Sequence, residues 1–192
     1  MSQKLTEGFV CSNLSDNFEG LSFKKIPIPS VEENFVKVSI KAASLNFPDL
    51  LMTQGKYQNK PTLPFALGME GAGIVSEVGT QSCTFKEGDE VMFGSWGHGA
   101  IAKEIVLPES MLSQKPKSFS FEEAAAFKIV YLTAFVGLIR RGNLVEGENL
   151  LVHGATGGVG MAAVELGKLY GARVIATGTS DEKLEIVKSW GA

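Results

Sequence analysis

Two periodicities divide the chain. Residues 35–45 (FVKVSIKAASL) set Phe35, Val36, Val38 and Ile40 against Lys37, Ser39 and Lys41, the period of two that marks a strand with one buried face. Shorter runs at 72–78 (AGIVSEV), 90–93 (EVMF) and 100–107 (AIAKEIVL) predict further strands, with glycine-rich breaks between them. Short strands punctuated by Gly and Pro predict a barrel or sandwich. One short helix is predicted at about 47–54, with Asn46 as its cap and Gly55 at its end.

The pattern changes near residue 118. Ser120-Phe-Glu-Glu123 has the form of a capping box, in which hydroxyl and carboxylate satisfy the first free amides. One apolar helix is predicted from there to about Arg141, roughly 30 Å long and enough to join two domains. Arg140 and Arg141 stand where the helix dipole favours cations, and Gly142 suits the C′ position. Asn149–His153 then reads as a parallel strand buried on both faces, Gly154–Gly160 as a turn and Val159–Tyr170 as a helix. Arg173–Thr177 reads as a second buried strand and Asp181–Trp190 as a second helix. That is β-α-β-α. A doubly wound sheet needs more than two strands, so a truncated chain is expected. The predicted class is α/β plus β, with domains at 1–119 and 120–192.

Composition narrows the function. A chain of 192 residues suits one large domain or two smaller ones. The formal net charge is −3. Residues 1–120 carry 11 basic and 13 acidic side chains and residues 121–192 carry 7 and 8, so no basic tract offers nucleic acid or an anionic membrane a surface. Cys11 and Cys83 make no disulfide framework, and His98 and His153 make no zinc-ligand cluster. His98 lies in a flexible loop, His153 reads as a satisfied core histidine, and neither is assigned a catalytic role. Met1–Glu7 lacks a signal peptide's apolar core and is not Arg-rich. Ala124–Ile139 is shorter than a membrane span and carries Lys128 and Thr133. The expected compartment is the cytoplasm, with the mitochondrion open as a second choice.

The sharpest chemical signal is Gly154-Ala-Thr-Gly157-Gly158-Val159-Gly160, set between a strand and a helix. Glycines there permit a tight turn and let backbone amides approach a pyrophosphate at the helix start. A bare glycine motif is weak; this one has its strand, its helix and a second strand about 20 residues on. An NAD site usually has Asp or Glu at the end of that second strand, for the ribose 2′-hydroxyl. This chain has Thr177-Gly178-Thr179-Ser180 instead, and Ser180 and Lys183 are placed to donate to a 2′-phosphate, which favours NADPH. The bland alternative is that Thr179 and Glu182 form a capping box and Lys183 is solvated. Asn46-Phe-Pro-Asp49 and Tyr57 likewise admit two readings, polar groups around a substrate or a helix cap and a packed ring.

Taken together, Asn46–Tyr57 (NFPDLLMTQGKY), Leu67–Gly79 (LGMEGAGIVSEVG), Gly88–Val91, Leu132–Ala134, Gly154–Gly160 and Ser180–Lys183 resemble the zinc-independent medium-chain dehydrogenases/reductases, within them the quinone oxidoreductase family. The resemblance implies a GroES-like β-barrel domain followed by the first part of a Rossmann domain. Relatives continue past Ala192 and return to complete the catalytic domain, and that half carries their usual dimer contact. A homodimer is thus implied for a complete chain, and little catalysis for residues 1–192 alone.

Zinc-dependent relatives have Cys at the position of Asn46 and His at that of Met69, so no metal is implied. By the same resemblance Asn46 and Tyr57 line the substrate side, with Tyr57 a candidate proton donor, and Thr133 touches the nicotinamide end. Gly157, Gly158 and Val159 hold the pyrophosphate of NADPH, between the turn glycine Gly154 and Gly160, and Ser180 and Lys183 hold its 2′-phosphate. Most relatives have Pro where this chain has Lys128. Lysine permits a continuous helix there, and is either a tolerated helix residue or a cation near the cofactor. The implied activity is hydride transfer from NADPH to a quinone or an α,β-unsaturated carbonyl, a small-molecule electrophile. An enoyl-thioester reductase and a non-catalytic cofactor-binding or structural protein are the alternatives.

Overall fold

The computed structural model describes residues 4–81, 84–95 and 99–192. Cys83 and His98 lie outside the described residues. The chain forms two compact units, which divide between Lys128 and Ile129.

In the first unit the alternation of 35–45 becomes β3 (Phe35–Ser44), with Val36 and Val38 wholly buried. The unit begins with β1 (Leu5–Cys11) and β2 (Leu21–Pro27), an antiparallel hairpin. After β3 come α1 (Phe47–Thr53), β4 (Phe65–Ala66), β5 (Glu70–Val78), β6 (Glu90–Gly94), β7 (Glu104–Pro108) and β8 (Leu112–Gln114). Five strands pair antiparallel in the order β7-β3-β5-β6-β8, and three in the order β2-β1-β4. Phe93, Val91, Val36, Val38, Val75 and Leu107 make the centre of the core.

The expected strand at 100–107 is shorter, starting at Glu104. The Ala100 and Ile101 amides donate to Gly68 and Leu67, and the Lys103 amide to Glu7. Residues 100–103 thereby stitch neighbouring segments together, although the Lys103 carbonyl still accepts from the Ile40 amide of β3 at 2.9 Å.

The predicted helix from 120 to 141 is not continuous. Ser120 caps as expected, its Oγ accepting from the Glu123 amide while Glu123 Oε2 accepts from the Ser120 amide. The helix it starts, α2 (Phe121–Ala125), stops after five residues. Next comes α3 (Lys128–Phe135), which widens into a π-helical segment, Val136–Arg141. Two anchors explain the break without a proline. Phe127 packs edge-on against Phe119, centroids 5.4 Å apart, and Lys128 Nζ donates to Met111 O and Ser113 Oγ at 3.0 Å each. Lys128 is therefore a tether to β8. Ala124 and Ala125 pack with Ala72 of β5, which keeps α2 in the first unit.

Lys115 fastens the entry to α2. Its side chain is buried, bonds to Phe119 O at 2.5 Å and Pro116 O at 3.2 Å, and pairs with Glu90 at 3.1 Å. Lys115→Met is expected to lower unfolding free energy by about 1–3 kcal/mol, because the half-buried turn at Phe119 loses its donor and Glu90 its cation. Urea denaturation measures this; an unchanged midpoint would make the ammonium irrelevant to the turn.

The second unit holds two parallel strands, β9 (Asn149–Val152) and β10 (Arg173–Ala176), with α4 (Gly158–Leu169) and α5 (Asp181–Trp190). Gly167 lets α4 close on the strands, since a Cβ there would lie 2.6 Å from Leu150 Cδ2 and 2.9 Å from Val174 Cγ2. The strands are not buried on both faces as expected. Val152 and Val174 are buried, but Leu151 and Ile175 are 52% and 43% exposed. His153 is exposed as well, not a core residue, because it follows β9 at the sheet's carboxyl edge. Among the described residues no helix is long and apolar enough to cross a membrane.

Candidate functional site

Two groups of predicted residues emerge, one in each unit. In the first, the β3–β5 register places Ser44 directly opposite Glu70. Asn46, two residues on, leaves the strand with extended backbone and caps α1. Asn46 Nδ2 donates to Glu70 Oε1 at 2.9 Å and to Ser44 Oγ at 3.1 Å, and Ser44 Oγ donates to Glu70 Oε1 at 2.6 Å. The Asn46 amide donates to Asp49 Oδ2 at 2.8 Å. The backbone of Asn46 thus serves the helix, as the cap reading expects, while its side chain faces a carboxylate. Gly55, with φ +67°, ends the helix region as expected, its amide donating to Met52 O at 3.1 Å. Tyr57 lines an open pocket of about 500 Å³ with Met52, Gln58, Asn59 and Met69.

Asp49 is buried, and its Oδ1 makes no hydrogen bond. Burial pushes its carboxyl above the ordinary value of 3.8; the amides of Asn46 and Gly68 pull it back and the charge of Glu70 adds to the rise. The folded chain thus binds this proton more tightly than the unfolded chain. Asp49's contribution to stability is full below about pH 4 and is lost as pH rises through its raised value. Asp49→Asn is expected to shallow the fall of unfolding free energy between pH 4 and neutrality. Urea titrations of both chains across that range check it; a pH-independent gap between them would remove Asp49 as the cause.

Glu70 Oε1 accepts from an amide and a hydroxyl, and the neighbouring Met69 offers only a thioether. Among the described residues no three His, Cys, Asp or Glu side chains gather to hold a metal. Lys128, expected to permit a continuous helix, is half-buried on its tether, and burial lowers its ammonium below the usual lysine range while Glu70 opposes that.

In the second unit Gly154, Gly157 and Gly160 of the loop differ in what their backbone and surroundings require. Gly154 has φ +64°, a tight turn that other residues rarely adopt. Gly160 allows α4 to close on the loop, since its Cβ would stand 2.4 Å from Gly154 O and 2.7 Å from Ala155 Cα. Gly157 needs neither, because its φ is −88° and the nearest atom to its Cβ would be Gly154 O at 3.6 Å. An open side with nothing to pack against is the cradle that a close-approaching phosphate needs. The amides of Gly158, Val159 and Gly160 form the first turn of α4, where helical amides lack intrahelical acceptors.

Ser180 caps α5, its Oγ accepting from the Lys183 amide at 3.4 Å, so the cap falls on Ser180 and not on Thr179. The Lys183 side chain is exposed. Thr133 is exposed on α3, with Oγ1 donating to Ile129 O at 2.6 Å. His153 Nδ1 lies 2.9 Å from Thr177 Oγ1. Ser44 and the pocket residues Met52, Gln58 and Asn59 carried no signal in the sequence, apart from Ser44 and Asn46 sharing one side of an extended segment.

Comparison with known proteins places these groups in context. Residues 32–117 match the alcohol dehydrogenase GroES-like domain. The chain is 42% identical over 158 residues to a quinone oxidoreductase-like protein 2 homolog of Nematostella vectensis, an alignment covering 82% of this chain and 43% of that protein. The chain belongs to the quinone oxidoreductase family of the medium-chain dehydrogenases/reductases. Among solved structures, Escherichia coli quinone oxidoreductase complexed with NADPH matches this family member with TM-score 0.88 at 32% identity, over 97% of this chain and 56% of that one. An NAD-dependent alcohol dehydrogenase matches with TM-score 0.91 at 35% identity, over 97% and 62%. The chain spans about half the length of the curated quinone oxidoreductases it matches. Its first unit is the GroES-like domain and its second carries part of a Rossmann fold, as the sequence implied.

Proposed function

We propose that this chain carries the NADPH-binding loop and the substrate-side residues of an oxidoreductase that reduces quinones or α,β-unsaturated carbonyls. The observation that carries the reading is the division of labour among Gly154, Gly157 and Gly160: Gly154 turns the chain at positive φ, Gly160 admits close packing, and Gly157 needs neither yet keeps its side open at the start of α4. In this reading the amides of Gly158 and Val159 hold the pyrophosphate beside the open face of Gly157, whose own amide donates to Gly154 O at 3.1 Å, and Ser180 and Lys183 hold the 2′-phosphate. Thr133 lies toward the nicotinamide. Bound there, NADPH supplies the hydride. Asn46 orients and polarises the carbonyl, and the Tyr57 hydroxyl stands as proton donor at the mouth of its pocket. Family resemblance supports these roles, as does the NADPH in the E. coli relative.

Fluorescence titration with NADPH and NADH tests this directly. Saturable binding that favours NADPH is expected. Gly157→Ala is expected to weaken binding of both nucleotides at least about tenfold while the chain stays folded, since the added methyl meets the ligand and not the protein. Lys183→Met with Ser180→Ala is expected to cost NADPH about tenfold and leave NADH unchanged. Equal affinity for the two nucleotides, or a Gly157→Ala chain that binds normally, overturns the assignment.

A further inference from the structure

We infer that Ser44 and Glu70 are positioning residues that hold the Asn46 carboxamide with one N–H turned outward as a donor to a ligand oxygen. The inference rests on the proposed place of Asn46 beside the reacting carbonyl. A carboxylate accepts hydrogen bonds and donates none, so the nitrogen of Asn46 and not its oxygen faces Glu70. The Ser44 hydroxyl gives its hydrogen to the same oxygen, Oε1.

The separations Nδ2–Oε1 2.9 Å, Nδ2–Oγ 3.1 Å and Oγ–Oε1 2.6 Å close a triangle. By the law of cosines its angle at Nδ2 is about 50°, whereas the two N–H bonds of a planar amide diverge by about 120°. Only one amide hydrogen therefore enters the triangle, shared between Oε1 and Oγ as a three-centre bond. The other points away from it and has no acceptor among the described residues. The backbone of Asn46 is fixed as well, by its amide bond to the buried Asp49 carboxyl. Such an N–H, held from behind by a carboxylate, needs no reorganisation to meet an oxygen that gains charge as hydride adds to the conjugated system. Ser44 and Glu70 act on the ligand only through Asn46. Without that role the same bonds would merely fasten the start of α1 to β5.

The test uses the whole 192-residue chain labelled with 15N-asparagine, with Asn46→Asp identifying the Asn46 side-chain resonance. One of its two amide hydrogens is expected to exchange with solvent at least about tenfold more slowly than the other. Addition of 3-methylcyclohex-2-enone to saturation is expected to shift the fast-exchanging hydrogen and leave its partner in place. Glu70→Gln, which offers a donor as well as an acceptor, is expected to abolish the difference between the two hydrogens, and Ser44→Ala to reduce it. A purely fastening role predicts no response to the enone. Equal exchange, an enone shift at the inner hydrogen, no shift at all, or an unchanged pair in Glu70→Gln each overturns the inference. Failure of the NADPH assignment is seen separately, as loss of nucleotide binding at the glycine loop with the Asn46 resonances unmoved.

Discussion

Gly160→Ala is expected to cost the second unit more than about 3 kcal/mol, and with it all nucleotide binding. The added methyl would stand 2.4 Å from Gly154 O and 2.7 Å from Ala155 Cα, backbone atoms that no rotamer change can move. Shifting α4 does not help, because Gly167 already holds it against Leu150 and Val174. Shifting the loop breaks the bond from the Ala155 amide to Thr177 O, which ties it to the end of β10. Gly157→Ala is the control, since its methyl meets nothing nearer than 3.6 Å. The two substitutions should therefore share a loss of NADPH binding and differ in stability. Circular dichroism during urea unfolding separates them, and equal midpoints would show that close packing is not why Gly160 is glycine.

Gly154 and Gly160 were legible in the sequence because a positive φ and a close backbone approach are demands that only glycine meets. The α5 helix was legible for a similar reason, in that its cap and apolar spacing are local, although the cap falls on Ser180. The β1 strand was not. Its buried positions are Thr6, Gly8, Val10 and Cys11, while Leu5 and Phe9 face outward, so no apolar alternation marks the buried face. The break at Ala126 and Phe127 was hidden because it comes from tertiary anchors, the Phe119 ring and the Lys128 tether, in a segment that favours helix throughout. Exposure of Leu151 was hidden too, since an apolar run looks alike whether both faces are covered or one. The Ser44–Glu70–Asn46 triangle depends on which residue of β5 faces Ser44. Irregularities in the ladder, at Lys37/Val38 and Ile40/Ala42, set that register, and no local rule predicts them.

The same register makes Phe93 the core residue with the largest expected effect. Phe93 is wholly buried and lies directly across from Gly71, where a Cβ would be 2.9 Å from the ring's Cζ. The ring covers a glycine in β5 and joins Val36, Val75 and Val91 in the core. Phe93→Ala is expected to lower unfolding free energy by about 3–5 kcal/mol, the transfer cost of a phenyl group plus the cavity it leaves. Phe23→Ala is the comparison. That ring is 54% exposed and touches Phe9 edge-on at 5.3 Å, so its loss should cost about 1 kcal/mol or less. The cavity would open beside the Glu70–Gly94 pair, so Phe93→Ala should also blunt the difference between the two Asn46 amide hydrogens. If the two phenylalanines cost the same, packing over Gly71 is not what holds β5 to β6. The placement of Glu70 must then come from its hydrogen bonds with Ser44 and Asn46 and from the strand ladder.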